Sequence, residues 1–131
     1  MNILVTGGTG FVGKALVESL LSRGDSVTVL TRSIEKAQAI FSEKTPQFLT
    51  ALYTLKDLNT FDAVINLAGE PIFDKKWTVQ QKEKLRHSRI NLTQQIVQLI
   101  NQSEYPPALI SGSATGIYGN CGDEQITENT N

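Results

Sequence analysis

Two periodicities alternate along this chain. Ile3-Leu4-Val5-Thr6 is a short, branched, apolar run bounded by glycine and predicts a buried strand. From Phe11 the apolar positions Val12, Ala15, Leu16, Leu20 and Leu21 follow helical spacing, and Gly24 is suited to end that helix. Val27-Thr28-Val29-Leu30-Thr31 predicts a second strand. Ser33 can cap a short helix carrying Ala37, Ile40 and Phe41 on one face, with Pro46 just past its end. Phe48 to Leu55 predicts a third strand and Ala63-Val64-Ile65-Asn66-Leu67-Ala68-Gly69 a fourth. Thr78 and Gln81 have capping-box spacing and open a long helical pattern through Val79, Leu85, Ile90, Ile96, Val97 and Ile100. That pattern covers about 24 residues, or about 36 Å. Pro106-Pro107 forbids its continuation, and Ala108-Leu109-Ile110-Ser111 predicts a fifth strand. From Gly116 onward the chain is rich in Gly, Asn and Glu without a strong period.

Strands alternating with helices predict an α/β fold, because each parallel crossover needs a helix-length connection. The expected architecture is a doubly wound parallel sheet of Rossmann type with strand order 3-2-1-4-5, and its ligand site lies beyond the carboxyl ends of the strands. One domain spans residues 1–131. Its fifth strand has no following helix, whereas such a sheet needs cover on both faces. The expectation is therefore the front part of a longer protein, with the substrate-binding part absent.

Charge and cysteine content narrow the function classes. Twelve Lys and Arg against thirteen Asp and Glu leave a net charge of −1, which excludes a dedicated polybasic nucleic-acid binder or an acidic tail protein. No apolar run approaches bilayer length, and the first residues lack the basic lead of a secretory signal. A lone Cys121 forms neither an intrachain disulfide nor a cysteine zinc site. These features predict a soluble, cytoplasmic protein with no metal site.

The strongest chemical motif is Thr6-Gly7-Gly8-Thr9-Gly10-Phe11-Val12-Gly13, which follows a strand and opens a helix. Its tight turn needs a residue that tolerates positive φ. Close approach to a pyrophosphate leaves no room for a Cβ, and Gly13 lets the helix pack against the strand. Backbone N–H groups and the helix dipole then face the anion. At the tip of the second strand, Leu30-Thr31-Arg32-Ser33 has no acid until Glu35. An acid there would bond a ribose 2′-hydroxyl, whereas Arg32 suits a 2′-phosphate, so NADP is expected rather than NAD.

The loop resembles that of the extended short-chain dehydrogenase/reductase superfamily. Asp62–Ile72, Lys76-Trp77, Ser88-Arg89, Ile110–Gly116 and Tyr118-Gly119 are similar to its atypical, sugar-nucleotide-epimerase-like branch, the YfcH-type epimerase family. The match runs over essentially the whole chain. The resemblance implies that Gly7, Thr9, Gly10, Phe11 and Val12 hold the pyrophosphate. It implies that Thr31 and Arg32 meet the adenosine 2′-phosphate, and that Leu67, Ala68 and Gly69 line the adenine and ribose side. Arg89 is implied as a cofactor contact toward the phosphate end, and Ser113 as the serine bonded to the reacting hydroxyl or carbonyl. The superfamily's proton donor is a Tyr with a Lys four residues later. Tyr118 has Gly122 at that offset, so the pair is expected past Asn131. Ile117 also stands where an aromatic is expected.

Other chemistry-bearing residues receive blander readings. Six basic and two acidic residues between Asp74 and Arg89 sum to +4. All but Arg89 read as a solvated helix face, the alternative being a positive field for an anionic nucleotide-sugar substrate. His87 reads as solvated, Glu70 and Asp74 as loop carboxylates, Trp77 as a plug at a core edge and Cys121 as a bystander thiol. Asn66, inside an apolar strand, is expected to bond neighbouring backbone. The expected function is an NADP(H)-dependent oxidoreductase or nucleotide-sugar epimerase of the short-chain type, with a small-molecule substrate. The sequence gives no oligomeric state, and a homodimer is suggested by family analogy alone. A non-catalytic NADP(H)-binding or redox-sensing protein is the alternative, and a fragment that pairs with another chain is a third.

Overall fold

The structure, a computed structural model, describes residues 1–41, 44–69, 78–113 and 119–130. Its elements are β1 (Asn2–Thr6), α1 (Phe11–Arg23), β2 (Ser26–Leu30), α2 (Ile34–Ile40), β3 (Gln47–Leu49), a 3₁₀ turn (Leu52–Thr54), β4 (Ala63–Asn66), α3 (Val79–Gln102) and β5 (Ala108–Ser111). The five strands form one parallel sheet in the order β3-β2-β1-β4-β5, as the sequence predicts.

Period-two alternation in β1 divides the core. Ile3 and Val5 join Val27, Val29 and Ala63 with Val17 and Leu20 of α1 and Phe41. Leu4 faces the other way and joins Val64 with Leu52, Leu58 and, from α3, Ile96 and Leu99. Both faces of the central strands are thereby covered, as parallel strands require. Helix ends match their sequence signals. Gly24 ends α1 in the left-handed region at φ +91°, with cap N–H bonds back to Leu20 and Leu21. Ser33 Oγ accepts from the N–H of Lys36 to cap α2, and Thr78 Oγ1 accepts from that of Gln81 to cap α3.

Strand lengths differ from the sequence reading where a partner runs out. β3 stops at Leu49 instead of continuing to Leu55, because its only neighbour, β2, ends at the Leu30–Leu49 pair. The chain then winds into the 3₁₀ turn, which buries Leu52 beneath α3. β2 lies one residue earlier than expected, at Ser26–Leu30. β4 ends at Asn66 rather than Gly69, because β1 turns away after the Thr6–Asn66 pair. β5 pairs with β4, but all four of its residues are exposed.

Candidate functional site

Three chain segments meet beyond the carboxyl ends of β1, β2 and β4. The first is the glycine loop. Gly7 turns the chain at φ +71°, and the N–H of Gly10 donates to Gly7 O at 3.0 Å to close the turn. A Cβ on Gly7 would lie 2.6 Å from the carbonyl of Leu67 and 2.8 Å from Ala68 N, so the β1 and β4 ends touch here through backbone. A Cβ on Gly13 would overlap Gly7 O and come within 2.8 Å of Gly8 Cα. Gly13 therefore brings the start of α1 against the loop that directly continues β1. Gly10 caps α1 with no side-chain acceptor, and the first turn holds no acidic residue. The dipole and N–H groups of that turn are thus available to an anion. Phe11 is 97% exposed and Val12 63% exposed beside it, and Thr9 is half-buried.

The second segment is the tip of β2. Thr31 Oγ1 donates to Ser33 O at 3.1 Å and accepts from Ser33 N at 3.2 Å, so this hydroxyl shapes the turn into α2. Arg32 is exposed and makes no ion pair with a described residue. The third segment is Leu67-Ala68-Gly69. Leu67 N donates to Thr6 O at 3.1 Å and Ala68 N to Thr6 Oγ1 at 3.3 Å. Arg89 reaches over from α3, where its guanidinium lies against Gly69.

Beneath the site runs a buried polar network. Thr6 Oγ1 donates to Asn66 Oδ1 at 2.6 Å, and Asn66 Nδ2 donates to Thr93 Oγ1 at 3.2 Å and Ser111 Oγ at 3.3 Å. The Asn66 side chain bonds side chains, not the neighbouring backbone that the sequence suggested. One amide thus ties β1, β4, α3 and β5 together below the site. Thr6 is the residue that sequence reasoning missed. Its signal was a polar residue ending an apolar strand, with another, Asn66, at the end of a second.

Ser113 is exposed, two residues beyond the end of β5. Glu70, Asp74, Lys75, Lys76, Trp77, Ile117 and Tyr118 lie outside the described residues. His87 is exposed and Cys121 half-buried. An open groove of about 480 Å³ runs along α3 between Arg89, Ile90, Thr93, Gln94, Val97 and Gln98. It belongs to one helix, and of these residues Arg89 and Thr93 link it to the site. Among the described residues no cluster of His, Cys, Asp and Glu could hold a metal, and no helix is long and apolar enough to cross a membrane.

The model of the NAD dependent epimerase/dehydratase family matches residues 3–131. The chain is 37% identical to the epimerase family protein YfhF of Bacillus subtilis, over 99% of this chain and 43% of that protein. It is also 37% identical to the chloroplastic SDR39U1 homolog of Arabidopsis thaliana, over 99% of this chain and 39% of that one. Human epimerase family protein SDR39U1 (isoform 2), solved with NADPH, superposes with a TM-score of 0.73 at 30% identity, covering 88% of this chain and 37% of its own. UDP-glucose 4-epimerase of Bifidobacterium longum, solved with NAD+ and UDP, shares the fold at a TM-score of 0.79 and 20% identity, over 100% of this chain and 42% of its own. The chain spans about two fifths of the length of these relatives.

Proposed function

Because the chain belongs to the NAD dependent epimerase/dehydratase family, we propose that its glycine loop and flanking strand ends bind NADP(H). In this reading the chain is the cofactor-binding portion of a short-chain-type oxidoreductase or nucleotide-sugar epimerase. The observation that carries the proposal is the uncapped amino end of α1, held by the Gly7–Gly10 turn and touching the end of β4. A diphosphate fits there because the turn presents N–H donors and no carboxylate. At Gly10 a Cβ would meet only Gly7 O, at 3.2 Å, so the glycine leaves space on its outer side. Arg32, exposed at the tip of β2, supplies the cation that a 2′-phosphate needs. The solved human relative carries NADPH, which supports the same choice here.

Bound NADP(H) would supply hydride transfer at its nicotinamide ring. This chain's residues would hold and orient it. Gly7, Thr9, Gly10, Phe11 and Val12 bracket the pyrophosphate, Thr31 sets the turn that presents Arg32, and Leu67 and Ala68 form the floor beside the adenosine. Ser113 would donate a hydrogen bond to the substrate's reacting oxygen. Tyr53, Tyr105 and Tyr118 have Asp57, Leu109 and Gly122 four residues on, so no Tyr–Lys proton donor pair is assigned within this chain. The second reading is an NADP(H)-binding protein without turnover.

Calorimetric titration with NADPH and NADH tests the proposal. Saturable heat with NADPH and weaker binding of NADH is the expected result. No heat with either coenzyme would overturn it. Incubation of the bound protein with nucleotide sugars and small carbonyls, followed by NADPH absorbance, separates an enzyme from a sensor.

A further inference from the structure

The geometry points to Gly69 as a positioning residue whose missing side chain seats the guanidinium of Arg89 at the end of β4. Gly69 does not have the positive φ that Gly7, Gly24, Gly119 and Gly122 have, so its backbone conformation does not call for glycine. What calls for it is space. A Cβ built on Gly69 would overlap Cζ and Nη1 of Arg89 and lie 2.6 Å from Nη2, and these three are its nearest neighbours. The planar guanidinium lies where the side chain would be, an approach that any larger residue blocks.

The seat lies beside the site. Gly69 follows Leu67 and Ala68, whose backbone abuts Gly7 and is tied to Thr6. A long arginine on an exposed helix face otherwise samples many rotamers, and ordering them on binding lowers affinity. Seating the guanidinium on Gly69 orders it beforehand and directs one of the positive charges of α3 toward the anion site. Arg86, three residues earlier on the same helix, is exposed and serves as the internal reference. The effect on affinity rests on the NADP(H) reading above, whereas the seat itself rests on geometry alone.

Gly69→Ala, Arg89→Ala and the double variant test the inference in a thermodynamic cycle. The melting temperature should be unchanged in Gly69→Ala, because the displaced atoms are the tip of a flexible side chain. NADPH affinity should fall about three- to tenfold in Gly69→Ala and about tenfold in Arg89→Ala, with the double variant within about twofold of Arg89→Ala. Additive losses would mean that Gly69 meets the cofactor directly, and would overturn the inference while leaving the NADP(H) reading intact. A second arm needs no cofactor. In NMR spectra of the ligand-free protein, the Arg89 Nε–H resonance should be distinct from that of Arg86 and should move to the Arg86 position in Gly69→Ala. An Arg89 resonance unaffected by Gly69→Ala would overturn the seat, whether or not NADPH binds.

Discussion

A guanidinium at the tip of β2 can distinguish two coenzymes that differ by one phosphate. Arg32 is exposed, and the turn that carries it is held by Thr31 and Ser33. A charge-assisted contact to the 2′-phosphate is worth about 1.5–3 kcal/mol, or roughly ten- to a hundredfold in affinity. Arg32→Ala should lower NADPH affinity by that factor and leave NADH affinity nearly unchanged, as two parallel titrations would show. A preference retained in the variant would assign the discrimination to another group. Gly10→Val probes the opposite kind of residue. Gly10 is exposed and its φ is −78°, so valine fits the backbone and the fold should survive. Its side chain would project into the space assigned to the pyrophosphate. Binding should be abolished while circular dichroism and melting temperature stay near those of the parent. Gly7 and Gly13 differ from Gly10, because a side chain at either would collide with backbone and unsettle the loop itself.

Elements here are held in register by a few polar groups at their ends. Asn66 links Thr6, Thr93 and Ser111, each on a different element. Asn66→Ala would leave the buried hydroxyl of Thr6 and the half-buried hydroxyl of Thr93 short of a partner, at a cost of about 2 kcal/mol and a fall in melting temperature of roughly 5–10 °C. Thermal melts of the variant check this, and Thr6→Val should lower the melting temperature as well, because it leaves Asn66 Oδ1 and the Ala68 N–H without their partner. A second device ties the start of β1 to the end of α1. Hydrogen bonds to Asp25 from Arg23 and from the terminal ammonium of Met1 hold its carboxyl below the ordinary value of 3.8. A carboxyl lowered on folding stabilises the folded state above 3.8, and this contribution disappears as pH falls through the folded value. Parent and Asp25→Asn melting temperatures should therefore differ near neutral pH and converge in acid. Melts across that range test the sign.

Across the whole molecule, a net charge of −1 gives no general attraction for an anion, so the cofactor must be drawn by local charges. With Arg32 and Arg89 both near the site, NADPH affinity should fall more steeply with salt than NADH affinity, measured by titration at two ionic strengths. At this scale β5 is the exception to the layered plan, since all four of its residues are exposed while the strands beside β1 are covered. Much of the architecture was legible in the residues alone. Helix boundaries and the places of the strands followed from hydrophobic period, caps and the glycine loop, because those preferences act within a few residues of the chain, and the strand order followed from the topology that alternating parallel crossovers adopt. The ends of β3 and β4 were not legible, because a strand ends where its partner does, and the partner lies far away in sequence. The site divides in the same way. Sequence by itself determined the turn at Gly7, the open amino end of α1 and a cation at the tip of β2, all set by neighbouring residues. Only the tertiary structure decided that Thr6 and Asn66 lock the strand ends together and that Arg89 lies over Gly69, because those contacts join residues 60 and 20 positions apart that only the packed sheet and α3 bring together.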